Sequence, residues 1–359
     1  MKKANLSLAV AVVLLLVTAQ HAAAVPYWAE NASITYAAKY YAPYVEHRVS
    51  QGSRPEWIRT ALLVYNYSGV LYIIKAYGST TARFSLERDG QFVEVRAEII
   101  LENVNVSAFL PPGVSPPRFW DESQVLSSKT VESHDPEFNG WKWHVFHLKE
   151  LTITGNYLIR VNDSMVVKEG TVYGHTMLWD DPMKPLVNGS PFSVYPFSTK
   201  IESVQIDNDN SFKAWNTTHR PPTKLVATAP YSYNLTQHLE KDFTIMSSTY
   251  STTAFRFDAS RGVLLSTLGE APDFWALGIL SANFADEYSA YQIEVKGDDS
   301  YLTGLVLEEF KTGAEPPEKP VQYKRPETEF RLVFYSSITL LLGVLAWNVR
   351  RLLGMKERK

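Results

Sequence analysis

Apolar and polar residues alternate along 82–97, ARFSLERDGQFVEVRA, on both sides of the dipeptide Asp89-Gly90. A period of two is typical of a strand with one buried face, and Asp-Gly is a favoured two-residue hairpin turn. The pattern therefore predicts a β-hairpin with an apolar face. Folding at that turn gives three apolar pairs on this face, namely Leu86 with Val93, Phe84 with Val95, and Ala82 with Ala97.

The alternation after this hairpin changes phase near 100–103, which predicts a bulge. Helical periodicity is confined to 235–243 and 55–62. Short apolar runs separated by turn residues predict further strands and hairpins at 61–78, 151–179, 253–269 and 288–310. The chain is therefore predicted to be mainly β, as an antiparallel β-sandwich or an open, curled half-barrel.

The segment 110–140 breaks this rhythm, because it contains five prolines and no sustained period. Loops of this length are usually functional or mark a domain boundary, so a sub-boundary is one interpretation. Phe119 and Trp120 lie in the segment and are candidates for ligand or partner contact. The alternative is that these aromatic side chains attach the loop to the core.

Two further segments carry a family resemblance. The sequences GHTMLWDDPMKPLVNGSPFSV (174–194) and FRFDASRGVLL (255–265) resemble a pattern in uncharacterised archaeal membrane-anchored cell-surface proteins. The resemblance covers about 170–270 and implies a curled antiparallel sheet like that of lipocalins or lipoprotein carriers. It also implies an envelope location, and it transfers no active site.

The two ends of the chain predict export and anchoring. Residues 1–24 have the basic start, apolar run and Ala-x-Ala pattern of a secretory signal peptide. Residues 331–349 contain an uncharged run long enough for a transmembrane helix, and the basic tail 350–359 places that end in the cytoplasm. The proline-rich segment 311–330 is interpreted as a stiff linker. The alternatives are a retained signal anchor and a buried core helix, respectively.

These boundaries leave 25–310 as an extracytoplasmic β domain of a single-pass, type I plasma-membrane protein. Of 35 Lys and Arg and 38 Asp and Glu in the chain, eight and one lie outside 25–330, which leaves 27 basic against 37 acidic residues, a net charge of −10. Such an acidic region makes nucleic acid an unsuitable partner. The absence of cysteine excludes disulfides, thiolate catalysis and cysteine metal sites.

Seven asparagines outside the predicted signal peptide begin an Asn-x-Ser/Thr sequon, which predicts N-glycosylation of an exported surface. The alternative is chance occurrence in a strand protein rich in Ser and Thr. The predicted acceptors are Asn31, Asn66, Asn105, Asn162, Asn188, Asn216 and Asn234.

The stretch NGWKWHVFHLKE (139–150) concentrates aromatic residues and histidines. His144 and His147 could ligate haem or a metal together only if they shared a face, and residues three apart in a strand point to opposite faces. A strand places Trp141, Trp143 and His147 on one face, which continues at Leu151 and Ile153. The pattern favours a core strand, with Trp141 and Trp143 as candidate contacts.

Acidic residues offer only weak candidates for chemistry. Asp207 and Asp209, in DNDNS (207–211), have the opening spacing of a calcium loop, but the central Gly is missing and Thr218 replaces the bidentate Glu. Asp180-Asp181 could pair as acid and base, although Asp-Asp-Pro is also ordinary turn chemistry. No cofactor and no catalytic residue is predicted.

The leading hypothesis is a non-enzymatic, glycosylated, membrane-anchored cell-surface protein, which acts as a structural component or as the exposed subunit of an envelope complex. A second hypothesis is a binding module that holds an apolar solute or lipid in a β-barrel cavity. A third is a membrane-anchored b-type cytochrome that uses one of the histidines. The expected partners are the membrane, N-glycans and an envelope or membrane protein.

Overall fold

The computed structural model describes residues 25–181, 185–195, 197–231, 239–240, 243–244 and 252–313. Within these ranges the chain forms three short α-helices and twenty strands. The helices are α1 (Ala42–Ser50), α2 (Pro272–Ala276) and α3 (Glu287–Glu294). The strands are β1 (Asn31–Ala38), β2 (Ala61–Tyr67), β3 (Val70–Ala76), β4 (Thr80–Asp89), β5 (Phe92–Leu110), β6 (Val125–Glu132), β7 (Lys142–Arg160), β8 (Met165–Lys168), β9 (Thr171–His175), β10 (Pro191–Val194), β11 (Phe197–Asp207), β12 (Phe212–Lys213), β13 (Thr218–His219), β14 (Thr223–Thr228), β15 (Leu239–Glu240), β16 (Phe243–Thr244), β17 (Ala254–Asp258), β18 (Leu264–Thr267), β19 (Ile279–Phe284) and β20 (Leu305–Thr312).

One antiparallel sheet of sixteen strands dominates the structure, with the order β19-β2-β3-β5-β4-β1-β20-β18-β17-β14-β11-β10-β9-β8-β7-β6. An additional pairing of β5 with β7 curls this sheet into a nearly closed ring. The weakest link in the ring is between β9 and β10, which share the single pair Val194 and Gly174. The prediction of a mainly β, curled antiparallel fold is thus confirmed at the level of class.

The first predicted hairpin is confirmed, but its register differs by two residues. The turn consists of Gly90 and Gln91, and Gly90 has a positive φ of 58°, as a type II′ turn requires at its first central position. A shift of two residues keeps every side chain on its predicted face. The observed pairs are Leu86 with Val95, Phe84 with Ala97, and Ala82 with Ile99.

Strand β5 changes its buried face where the sequence changes phase, at a bend at Asn103, but its ladder with β7 keeps one register across this point, so the predicted bulge is not observed. Asn103 has a positive φ of 51°, and both Leu101 and Val104 are buried. Up to Leu101 the strand pairs with β4, and from Val104 it pairs with β3. Strand β5 therefore belongs to the ring in its first half and, with β2, β3, β6, β7 and β19, to an outer sheet in its second half.

Bulky side chains of the ring strands and of the adjoining outer sheet form one continuous core. Burial of a side chain of this size contributes about 1.5–3 kcal/mol relative to exposure, which is how a domain without disulfides is held together. The largest fully buried side chains of this core are Trp28, Tyr36, Tyr72, Phe84, Trp179, Phe192, Phe255, Phe257, Phe274 and Phe284.

Three sequence-based element predictions are wrong in the described residues. The segment 288–310 is not a hairpin, because α3 occupies its first part, with the Asp286 carboxylate accepting a hydrogen bond from the Ser289 amide at 2.7 Å as the N-cap. The helix predicted at 235–243 is replaced, where it is described, by the small ladder of β15 and β16. The segment 55–62 contains one 3₁₀ turn, Pro55–Trp57, followed by β2.

No helix among the described residues is long and apolar enough to span a membrane. The predicted signal peptide (1–24) and the predicted transmembrane helix (331–349) lie outside the described residues, as does most of the predicted linker. The first two linker residues, 311 and 312, belong to β20.

Candidate functional site

Strand β7 carries Trp143 and both histidines of the histidine- and tryptophan-rich stretch, which confirms the predicted strand from Lys142 onward, whereas Trp141 lies just before it. Its outer face presents Trp143, Val145 and His147, while His144 and Phe146 lie on the inner face. The two histidines therefore point to opposite faces. Burial lowers the pKa of His144, and the nearby charge of Lys142 lowers it further.

The predicted continuation of the tryptophan face is wrong. Leu151 and Ile153 belong to the main core, whereas Trp143 and Val145 form a second, smaller cluster with Ile73. The reason is the exposed pair Lys149 and Glu150, where the buried face of β7 changes phase. Lys149 and Glu150 lie on the strand beside Asn103 of β5, so β5 and β7 change their buried faces at neighbouring positions of their shared ladder.

An outer aromatic cluster, which we define as Phe109, Phe138, Trp141 and Trp143, covers one end of this outer sheet. Trp143 is fully buried, and its ring centroid lies 4.8 Å from that of Phe109. Trp141 and Phe138 pack on Phe109 at 5.0 and 5.5 Å. Phe109, Phe138 and Trp141 remain partly exposed, so they present an aromatic surface to solvent.

A short turn positions two members of the outer aromatic cluster. The Asp135 carboxylate accepts a hydrogen bond from the Glu137 amide at 2.9 Å and begins the 3₁₀ turn Pro136–Phe138. The Trp141 amide then donates to the Phe138 carbonyl at 2.9 Å. Trp141 and Trp143 stand out in the sequence, whereas Phe109 and Phe138 do not, because the latter join the cluster only through strand pairing and this turn.

A groove of about 800 Å³, with Glu30, Arg88 and Lys311 among its lining residues, lies elsewhere on the ring, and a second groove lies beside the outer aromatic cluster. This second groove has a volume of about 580 Å³, and its lining includes Glu56, Lys75, Asn105, Lys129 and His147. We call it the outer groove. Its side chains offer two ammonium groups, a carboxylate, an amide and an imidazole for contact with a partner.

Hydrogen bonding and burial shape the outer groove. His147 Nε2 is 2.8 Å from Asn103 Oδ1, which fixes the imidazole at the bend of β5. Burial lowers the pKa of Lys75, and the nearby Arg59 lowers it further. Burial raises the pKa of Tyr77, and a hydrogen bond with Asn105 partly offsets this rise. These groups form a polar floor next to the outer aromatic cluster.

Strand β6 forms a free edge beside the outer groove. It pairs with β7 on one side and ends the strand order of the main sheet in the described part of the chain. Six of its eight residues are exposed, and Leu126 is exposed to 60 %. An edge of this kind presents unpaired backbone donors and acceptors to a further strand. This strand lies inside the segment interpreted from sequence as a loop.

Phe119 and Trp120 occupy a different place from the outer aromatic cluster. Trp120 is buried in the main core, 4.8 Å from Phe146 between ring centroids. Phe119 packs 4.8 Å from Tyr65, and the Tyr72 hydroxyl donates to the Pro117 carbonyl. The structure therefore places these two aromatic residues as attachments of the loop to the core.

The acidic metal candidates form a closed turn. Asp207 Oδ1 accepts from the Asp209 and Asn210 amides at 3.0 and 2.8 Å, and its Oδ2 accepts from the Asn210 side chain at 2.8 Å. These hydrogen bonds lower the pKa of Asp207. Thr218 lies in β13 opposite Lys213. Among the described residues, no group of three or more His, Asp or Glu side chains is arranged to hold a metal ion.

The predicted glycosylation sites reach the surface wherever they are described. Asn105 is half-buried in the outer groove, and Asn234 lies outside the described residues. The other five sequon asparagines are exposed, at Asn31, Asn66, Asn162, Asn188 and Asn216.

Comparisons with protein-family models, with curated proteins and with solved structures give no match for this chain.

Proposed function

We propose that this protein is a non-enzymatic, glycosylated cell-surface component that binds an extended segment of an envelope partner along β6. The observation that carries the proposal is the free, exposed edge of β6. A strand added to such an edge gains main-chain hydrogen bonds, while neighbouring side-chain pockets supply specificity. The outer aromatic cluster and the outer groove lie beside this edge and provide those side-chain contacts.

The chemistry of the surface defines the partner segment. Aromatic residues are enriched at protein interfaces, because they bury a large apolar area at a small cost in side-chain entropy. The outer groove adds Lys75 and Lys129, which attract carboxylates. The proposed partner segment therefore alternates, with apolar side chains for the outer aromatic cluster and acidic side chains for the two lysines.

The cellular setting is part of the proposal. The predicted signal peptide and the predicted span with its basic tail support a type I plasma-membrane protein, and the exposure of the sequon asparagines supports N-glycosylation. The nearly closed, curled sheet supports the lipocalin-like or lipoprotein-carrier-like half-barrel more than a sandwich of two separate sheets. The resemblance to archaeal membrane-anchored surface proteins supports the same assignment.

The two other hypotheses receive less support from the geometry. Large side chains such as Trp179 and Phe255 occupy the inside of the ring, which favours a structural role over transport of an apolar solute. Haem ligation by His144 or His147 requires a distant second ligand, because the two side chains point to opposite faces of β7.

The test is crosslinking and mass spectrometry on native membranes that contain the full chain or its variants. Leu126→Asp places a carboxylate at the exposed apolar position of β6 and should abolish the crosslinks to the partner. Ile206→Asp is the matched control, because Ile206 is also exposed to 60 % but lies on β11. Equal crosslinking of both variants and the unaltered chain, or an isolated monomer throughout, overturns the proposal.

A further inference from the structure

A lysine and an aspartate form a buried pair inside the ring, remote from β6. Lys224 Nζ lies 2.5 Å from Asp180 Oδ2, and the two side chains are exposed to only 6 % and 1 %. A charge-assisted hydrogen bond usually spans about 2.7–2.9 Å, so this amine and this carboxyl group are in direct contact. Burial of such an ion pair costs desolvation energy that the mutual attraction often fails to recover.

The surroundings of the pair are apolar and rigid. Lys224 projects from β14 on the same face as the buried Val226, and its strand partner is the buried Phe257. Asp180 follows Trp179, which is bridged to Val263, and the Asp180 amide donates to the Gly262 carbonyl at 2.9 Å. Both reacting groups are thus held in place by backbone pairing on each side.

One further group has the position that acyl chemistry requires. The Leu186 amide donates to Asp180 Oδ1, the other carboxyl oxygen, at 2.9 Å. A backbone N–H in this position stabilises negative charge on that oxygen when a nucleophile adds to the carbon.

We propose that Lys224 and Asp180 form an intramolecular amide cross-link. One proton passes from the ammonium group to the carboxylate, which leaves an amine and a carboxylic acid in contact. The amine nitrogen then bonds to the Asp180 carboxyl carbon, Oδ1 takes the developing negative charge while it accepts from the Leu186 amide, and a proton passes from the nitrogen to the departing Oδ2 hydroxyl. The C–O bond breaks and one water molecule leaves, so that no oxidant or other reactant is consumed.

The proposed cross-link takes the place of a disulfide in a chain without cysteine. It joins residues 44 positions apart and removes two buried charges. A covalent link between distant positions stabilises a fold mainly by restricting the unfolded chain. The cross-link also fastens the segment before residue 182 to β14, and thereby ties two sides of the ring together.

Peptide mapping of the full, unaltered chain tests this inference directly. After glycan removal and denaturation, the protein should weigh one water molecule less than its linear sequence. Tryptic digestion should give a branched peptide that joins Asp180 to Lys224, and trypsin should not cleave after Lys224. Recovery of the linear mass, together with an unmodified peptide ending at Lys224, overturns the proposal. The unaltered chain decides the question, so the result does not depend on the folding of a variant.

Lys224→Arg provides the second measurement. The guanidinium keeps the positive charge and the ion pair but does not add to a carboxyl group, so this variant should have its full linear mass and a lower unfolding temperature. The matched control is Lys213→Arg, because Lys213 forms an ion pair with Asp298 at 2.8 Å that is partly exposed. Lys213→Arg should retain the loss of one water molecule, and its failure to do so contradicts the assignment to Lys224.

Discussion

Glu287 should make the stability of this protein fall as pH rises. This residue begins α3 and is buried, and its Oε2 accepts a hydrogen bond from the Tyr41 amide at 2.9 Å. Its other oxygen, Oε1, is buried without a hydrogen-bond partner in the described structure. Burial raises the pKa of Glu287 from 4.5 to about 7, the Tyr41 hydrogen bond acts against that rise, and the charge of Asp286 adds to it.

The sign follows from the direction of the shift. An acid whose pKa is higher in the folded chain than in the unfolded chain holds its proton more tightly when folded. The stabilising contribution of the Glu287 carboxyl group is therefore complete below about pH 4.5, and it is lost as the pH rises to about 7. At about 1.4 kcal/mol per pKa unit, the loss from this one group reaches about 3 kcal/mol.

Glu287→Gln removes the titrating proton and retains an oxygen that can accept from the Tyr41 amide. The variant should match the unaltered chain near about pH 4.5 and exceed its free energy of unfolding by up to about 3 kcal/mol at about pH 8. Urea unfolding of the full chain at both pH values measures the difference. Comparison of two chains at each pH cancels the titration of Asp286 and the other acids.

Glu294→Gln is the control for this experiment, because Glu294 lies on the same helix but is half-exposed beside Arg48. Its substitution should change stability by less than about 1 kcal/mol at either pH. If the Glu287→Gln difference is equal at the two pH values, the explanation from burial is wrong.

Three further substitutions test the packing described above. Trp143→Ala should lower the free energy of unfolding by about 3–5 kcal/mol, because this side chain is fully buried. Trp57→Ala, at a side chain exposed to 63 %, should change it by less than about 0.5 kcal/mol. Thermal denaturation compares the two variants. Gly174→Ala should unfold the ring at β9 and β10, because a Cβ at this position would lie 1.8 Å from the Ser193 carbonyl oxygen. The control Gly170→Ala meets no neighbouring atom and should cost only about 1–2 kcal/mol of backbone strain. Hydrogen exchange of the β10 amides distinguishes the two variants. Tyr157→Phe removes the hydroxyl that donates to the buried Asp273 at 2.7 Å and should cost about 1–3 kcal/mol, measured by urea unfolding.

Local alternation predicted the faces of the first hairpin but not its register. The turn chemistry of Asp89-Gly90 and Gly90-Gln91 is similar, and a shift of two residues leaves every side chain on the same face, so the hydrophobic pattern cannot distinguish the two registers. The helix α3 was missed because the alternating residues of 288–293 fit a short strand as well as a helix. The Asp286 cap, which decides the matter, uses contacts with distant Lys39.

The candidate site was only half visible in the sequence for a related reason. Trp141 and Trp143 stand out locally, but the outer aromatic cluster also needs Phe109, which strand pairing brings opposite Trp143. The free edge of β6 follows from the order of all sixteen strands and has no local signature. The buried contact of Asp180 with Lys224 likewise depends on the closure of the ring, which joins positions far apart along the chain.

The unequal links of the ring have a mechanical consequence. From β20, the described strand nearest in sequence to the proposed anchor, one path to the proposed partner edge runs through β1, β4, β5 and β7, whose ladders are long. The opposite path includes the short ladder of β18 with β20 and the single pair between β9 and β10. If the proposed anchor and the proposed partner pull on the domain, the path of long ladders carries most of the tension, and the side with the short ladders can yield while both ends stay attached.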